Sequence, residues 1–126
     1  MSQSPARSHL RHELEAHMAG LGYSRVRPKR AATPAPEIAR INPTRGSIAY
    51  GQTVLRRDLQ RRSCQERLLF FSRRRTRRRS SILFFIGVPD EDQHELEALL
   101  EQLEIRSRTR GGHVHVVPIP TAETSR

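Results

Sequence analysis

A chain of 126 residues reads as one domain with one core, and its single cysteine, Cys64, excludes an internal disulfide. There is no apolar run of about eighteen residues, and the opening MSQSPARSHL lacks the apolar stretch of a signal peptide, so a soluble cytoplasmic protein without a membrane partner is the expectation. Twenty-two arginines and one lysine stand against thirteen acids, a formal charge of +10. That surplus points to a polyanionic partner, because each neutralised phosphate releases counterions and the guanidinium fork binds two oxygens at once.

Ser4 and Pro5 suit an N-cap and a first helical position, and Gly20 and Gly22 supply stops. Between them Leu10, Leu14, Met18 and Leu21 fall on one stripe at about 100° per residue, which predicts an amphipathic first helix. His9, Glu13 and His17 recur every four residues. Without an HExxH motif or a Cys–His cluster, they read as a partly solvated flank, with Glu13 paired to His17, rather than as a metal site.

GYSRVRPKR fits a short edge-like strand over 23–27, ended by Pro28, and ATPAP an extended connection. EIARI and SIAYGQTV flank the turn NPTRG and predict an antiparallel hairpin. Composition favours a helix from Leu55 to Arg73, with Cys64 as a small buried thiol. After RRRTRRRSS comes ILFFIGV, apolar on both faces and therefore a central or parallel strand. Beyond Pro89 and Asp90, the spacing of Leu96, Leu99, Leu100 and Leu103 defines another helix. HVHVVPIP supplies a last strand, with His113 and His115 as surface or edge residues on one face. The predicted order is α-β-β-β-α-β-α-β, an α/β domain over 8–119 with tails at 1–7 and 120–126.

Charge is unevenly distributed along this order. Residues 56–79 hold eleven arginines against Asp58 and Glu66, whereas 88–105 hold seven acids and neither lysine nor arginine. The acidic helix could neutralise its own basic segment or that of a second copy, which keeps protein partners and a homodimer among the expectations.

A hairpin feeding a helix that returns to a buried strand resembles the core of the PD-(D/E)XK nuclease superfamily, the restriction-endonuclease-like fold, over roughly residues 8–118. In that superfamily a Pro-Asp opens the second strand, and (Asp/Glu)-x-Lys lies on the third, often after an aromatic residue and glycine. The matching residues here are Pro36-Glu37 and Tyr50-Gly51-Gln52-Thr53-Val54. The resemblance implies an αβββαβ core with a mixed sheet, extended by a further helix and a C-terminal strand. It also implies two carboxylates holding one or two Mg²⁺ ions and a lysine that steadies the attacking hydroxide.

At the matching positions Glu37 keeps a carboxylate, Gln52 offers only a neutral amide oxygen, and Val54 offers no amine. The implied site is degenerate, and no cofactor is expected. An active enzyme would need relocated groups, with Mg²⁺ held by Glu37, Asp58 and Glu13 and with Arg56 as a further candidate.

If the third and fourth strands are parallel, the arginines divide into two groups. Arg56, Arg57, Arg61 and Arg62 fall near the Gln52 end of the sheet, and Arg73, Arg74, Arg75, Arg77, Arg78 and Arg79 at the other. Both groups are expected to touch a nucleic-acid backbone, with DNA favoured, the second group alternatively an acidic protein surface. Because Phe70, Phe71, Phe84 and Phe85 read as core, stacking on bases is not expected. The function expected is therefore that of a nucleic-acid-binding, catalytically degenerate nuclease-like protein. An active divergent nuclease and a basic protein-interaction module are its rivals.

Overall fold

A computed structural model describes residues 5–26, 35–73, 82–107 and 112–120. Its elements are α1 (Pro5–Gly20), β1 (Arg25–Val26), β2 (Ile38–Asn42), β3 (Ser47–Thr53), α2 (Arg62–Ser72), β4 (Leu83–Pro89), α3 (Gln93–Gln102) and β5 (Val114–Ile119). The five strands form one mixed sheet in chain order. β1, β2 and β3 are successively antiparallel, and β3, β4 and β5 successively parallel. The protein is an α/β domain, in the element order read from the sequence.

Strand alternation divides the apolar side chains between two layers. On one face Leu10, Leu14 and Met18 of α1 pack with Ile38, Ala49, Phe85, Val117 and Ile119. On the other, α2 and α3 bury Leu68, Phe71, Leu96 and Leu100 against Tyr50, Val54, Phe84, Ile86 and Val88. β4 contributes to both layers, Phe85 to one and Phe84, Ile86 and Val88 to the other, which accounts for its unbroken apolar run. Phe70 is partly buried against the same cluster, so none of the four phenylalanines forms an exposed platform.

Two details differ from the sequence expectation. Leu21 lies beyond the end of α1 and is exposed rather than part of the stripe. α1 turns off at this point: Gly22 N–H bonds Ala19 O at 3.0 Å, Tyr23 N–H bonds Met18 O at 2.9 Å, and Gly22 takes φ 99°. The segment 55–73 is also two elements rather than one helix. A 3₁₀ turn over Arg56–Gln60 is cut from α2 by Arg61, whose φ −85° and ψ 132° are extended.

The hairpin turn matches its sequence: Asn42 Oδ1 accepts from Thr44 and Arg45 N–H at 3.0 and 3.2 Å, and Gly46 supplies a positive φ of 71°. Among the described residues no helix is long and apolar enough to cross a membrane.

Candidate functional site

The end of β3 and the first turns of α1 and of the Arg56–Gln60 segment meet in a polar cluster. Glu37, just before β2, accepts from Thr53 N–H at 2.9 Å and from the Thr53 hydroxyl at 2.8 Å. Arg7, in the first turn of α1, donates to Thr53 O at 3.1 Å and to Thr53 Oγ1 at 3.2 Å. The same guanidinium reaches Asp58 Oδ2 at 2.5 Å, and that oxygen also accepts from Leu55 N–H at 2.9 Å. Arg61 stands 4.0 Å from the other oxygen of Asp58. Two acids, one hydroxyl and one internal cation thus form a continuous chain.

Asp58 is the most constrained member, with 8% of its side chain exposed against 22% for Arg7. Burial alone would push its carboxyl up. The Leu55 N–H, the Arg7 hydrogen bond and the charges of Arg7 and Arg61 outweigh that and hold it below its ordinary 3.8.

Gln52 and Val54 lie elsewhere. They share a face, as expected, but it is the face covered by α2: Val54 belongs to that apolar cluster, and Gln52 Nε2 points at Cys64 Sγ, 4.0 Å away. On the α1 face of the strand stand Ala49, Gly51 and Thr53. A Cβ on Gly51 would meet Met18 Sδ at 3.1 Å and Ile38 Cβ at 3.2 Å. The residue that touches Glu37 is therefore Thr53, one position from the motif match. A shift of one residue in a strand exchanges its faces.

Gln52 is 5% exposed, and its Oε1 has no hydrogen-bond partner among the described residues. Cys64 is buried, as expected for a structural thiol; burial, reinforced by the charge of Asp58, raises its pKa to about 11 and leaves it protonated.

The metal set does not converge. Among the described residues no three His, Cys, Asp or Glu side chains gather to hold an ion, and Glu13 is exposed on α1 outside the cluster. Within the cluster Arg7 is paired with Asp58, and Glu37 accepts from Thr53. The expected Glu13–His17 pair is not found among the described contacts either. His17 instead lies edge-on to Phe85 at 6.0 Å, and His9 bonds Pro120 O at 2.9 Å.

Around the cluster Arg56, Arg57, Arg61 and Arg62 are all exposed. Arg56 pairs with Glu95 of α3 at 3.0 Å, and Arg62, its side chain 92% exposed, with Glu66 at 3.3 Å. At the start of α3, Asp92 responds to the opposite balance: burial raises its carboxyl, Arg56 pulls it down, and Glu95 and Asp90 push it up again, with a net rise.

Arg73 lies at the opposite end of the sheet, where β4 and β5 begin. There a cavity of about 450 Å³ is lined by Ser72, Arg73, Ile105, Arg106, His113 and Val114, and His113 Nε2 is bonded to Ser72 O at 2.7 Å. Arg74, Arg75, Arg77, Arg78 and Arg79 lie outside the described residues.

Arg7 is the member of the cluster that the sequence hides, since it falls in the segment read as a tail. The only signal for it is its place in the first turn after Pro5. No protein-family model, curated protein or solved structure matches the chain.

Proposed function

We propose that the protein binds the phosphate backbone of nucleic acid, DNA foremost, on the surface formed by Arg56, Arg57, Arg61 and Arg62, and that it does so without metal-dependent cleavage. In this reading the chain is a PD-(D/E)XK-like domain kept for binding, and its partners include the other subunits of a nucleic-acid-processing complex.

The observation that carries the reading is where the cations sit. A helix N-terminus carries a partial positive charge and favours acids in its first turn. α2 begins with Arg61 as N-cap and Arg62 as first residue, has no acid in its first turn, and has no side chain bonded to its cap. The preceding 3₁₀ turn adds Arg56 and Arg57, with Asp58 already engaged by Arg7. Exposed ion pairs such as Arg62–Glu66 contribute little, about 0–1 kcal/mol. The arrangement is unfavourable in the free chain, and a phosphate at the helix start relieves it.

The test is fluorescence anisotropy with duplex DNA and RNA across a salt series. If each of the four arginines neutralises one phosphate, log K against log salt falls with a slope of roughly −3.6 on B-DNA. Affinity absent even at low ionic strength overturns the reading, since screening is weakest there. Supercoiled plasmid incubated with Mg²⁺ or Mn²⁺ is expected to stay intact. Nicking that is lost on Glu37→Ala and Glu13→Ala would establish the active-nuclease rival instead.

A further inference from the structure

Arg7 is part-buried and spends its donors on Thr53 and Asp58, so it is badly placed to serve as a phosphate contact itself. Its partners, however, control the turn that carries the exposed arginines. Asp58 is the third residue of the 3₁₀ turn, and three bonds of that turn run through it. Its carboxylate takes Leu55 N–H at 2.9 Å, its own N–H goes to Leu55 O at 2.8 Å, and its carbonyl takes Arg61 N–H at 3.0 Å. Arg57 and Arg61 flank that knot in sequence, and Arg62 follows as the first residue of α2.

The turn meets the core through Leu59, and Arg7, 51 residues away in sequence, ties the Asp58 carboxylate itself to the end of β3. The guanidinium bridges the carbonyl that ends β3 and the carboxylate that shapes the next turn, a fork geometry that lysine cannot reproduce. Glu37 braces the same point from the other side by holding Thr53 at both its N–H and its hydroxyl.

We infer that Arg7 and Asp58 are positioning residues for the phosphate-binding surface: they hold the turn 55–61 in the one arrangement that aims Arg57, Arg61 and Arg62 at a common backbone. This rests on the nucleic-acid reading above. A surface that is ordered before binding loses less side-chain and loop freedom on association, so loosening it weakens binding without removing a contact. Direct contacts and positioning residues then separate in a salt series, because only a phosphate contact contributes to the slope.

The experiment compares wild type, Arg7→Met, Arg7→Lys, Asp58→Asn and Arg57→Ala in the same anisotropy titration on duplex DNA. Each variant is checked for a native circular-dichroism spectrum at the working temperature. Arg7→Met and Asp58→Asn are expected to bind roughly tenfold more weakly at every salt concentration with the wild-type slope. Arg57→Ala is expected to make the slope shallower by about 0.9.

Arg7→Lys keeps the charge but not the fork, and is expected to fall between wild type and Arg7→Met. Should Arg7→Met or Asp58→Asn fail to fold, Arg7→Lys decides the matter through amide exchange at Leu55, Asp58 and Arg61. Faster exchange at those amides together with weaker binding supports the inference, and faster exchange with wild-type affinity overturns it. Folded Arg7→Met and Asp58→Asn variants that bind as wild type overturn it too, as does a shallower slope in Arg7→Met, which would make Arg7 a direct contact. No binding by the wild type itself is a different result, and sinks the nucleic-acid reading along with this one.

Discussion

Gln52 is a buried polar residue whose neighbours are Cys64 and an apolar layer, and its carbonyl oxygen is left without a partner among the described residues. An unsatisfied buried acceptor costs about 1–3 kcal/mol, and replacing it with an apolar group of the same shape is neutral or stabilising. Gln52→Met is therefore expected to hold or raise denaturant stability, by up to about 1 kcal/mol. Gln52→Glu is expected to cost several kcal/mol at neutral pH, about 2–5, because it places a charge in that layer with no counterion. Urea unfolding of the two variants checks both. A stabilised Gln52→Glu protein whose melting temperature rises further with Mg²⁺ would show that this position can hold a cation. The stretch YGQTV does not say which of Gln52 and Thr53 turns toward Glu37; it is Thr53.

At the scale of elements, the two helix ends that the structure closes most fully use the same device with different residues. α1 ends with Gly22 in the left-handed region, and α3 ends with Glu104 there at φ 60°. In both, paired bonds return to the last turn. Glu104 N–H goes to Glu101 O at 3.0 Å and Ile105 N–H to Leu100 O at 2.8 Å, as Gly22 and Tyr23 do at α1. Ile105 and Leu100 are both buried, giving the apolar contact that accompanies this motif. A side chain in that backbone region costs about 1 kcal/mol, which glycine avoids.

Glu104→Gly is thus expected to raise stability by about 0.5–1 kcal/mol and to leave the fold unchanged, measurable as a higher denaturation midpoint at constant slope. A loss of stability would mean that the Glu104 side chain contributes more than its backbone costs. Element order, the hairpin, the buried β4 and the leucine face of α3 were legible because each rests on local periodicity or turn chemistry. The split at Arg61 was not legible. It is made by the Asp58 carboxylate taking Leu55 N–H and the Asp58 carbonyl taking Arg61 N–H, and the apolar spacing of 55–73 does not mark either bond.

Across the whole molecule, the uneven charge gives acidic residues opposite effects according to their neighbours. Asp58 faces Arg7 and Arg61 and is held below 3.8; Asp92 faces Glu95 and Asp90 as well as Arg56, and is raised. A lowered folded-state carboxyl contributes stability that is fully present above its unfolded value and is lost as pH falls through the folded value. A raised one works the other way: its charged form costs stability above the folded pKa, and that cost disappears as pH falls through the folded pKa to 3.8.

Denaturant stability measured from neutral to acid pH should therefore separate Asp58→Asn from Asp92→Asn by sign. Asp58→Asn is expected to be less stable than wild type by about 2–3 kcal/mol at neutral pH, the cost of leaving Arg7 without its buried partner. That difference should narrow only below 3.8, where the wild-type carboxylate itself takes up a proton. Asp92→Asn is expected to be the more stable protein at neutral pH, with its advantage fading at a higher pH than the Asp58→Asn deficit does. If the Asp58→Asn deficit stayed constant through acid pH, the carboxylate charge would not be what holds Arg7, and the cluster at the end of β3 would be held by hydrogen-bond geometry alone.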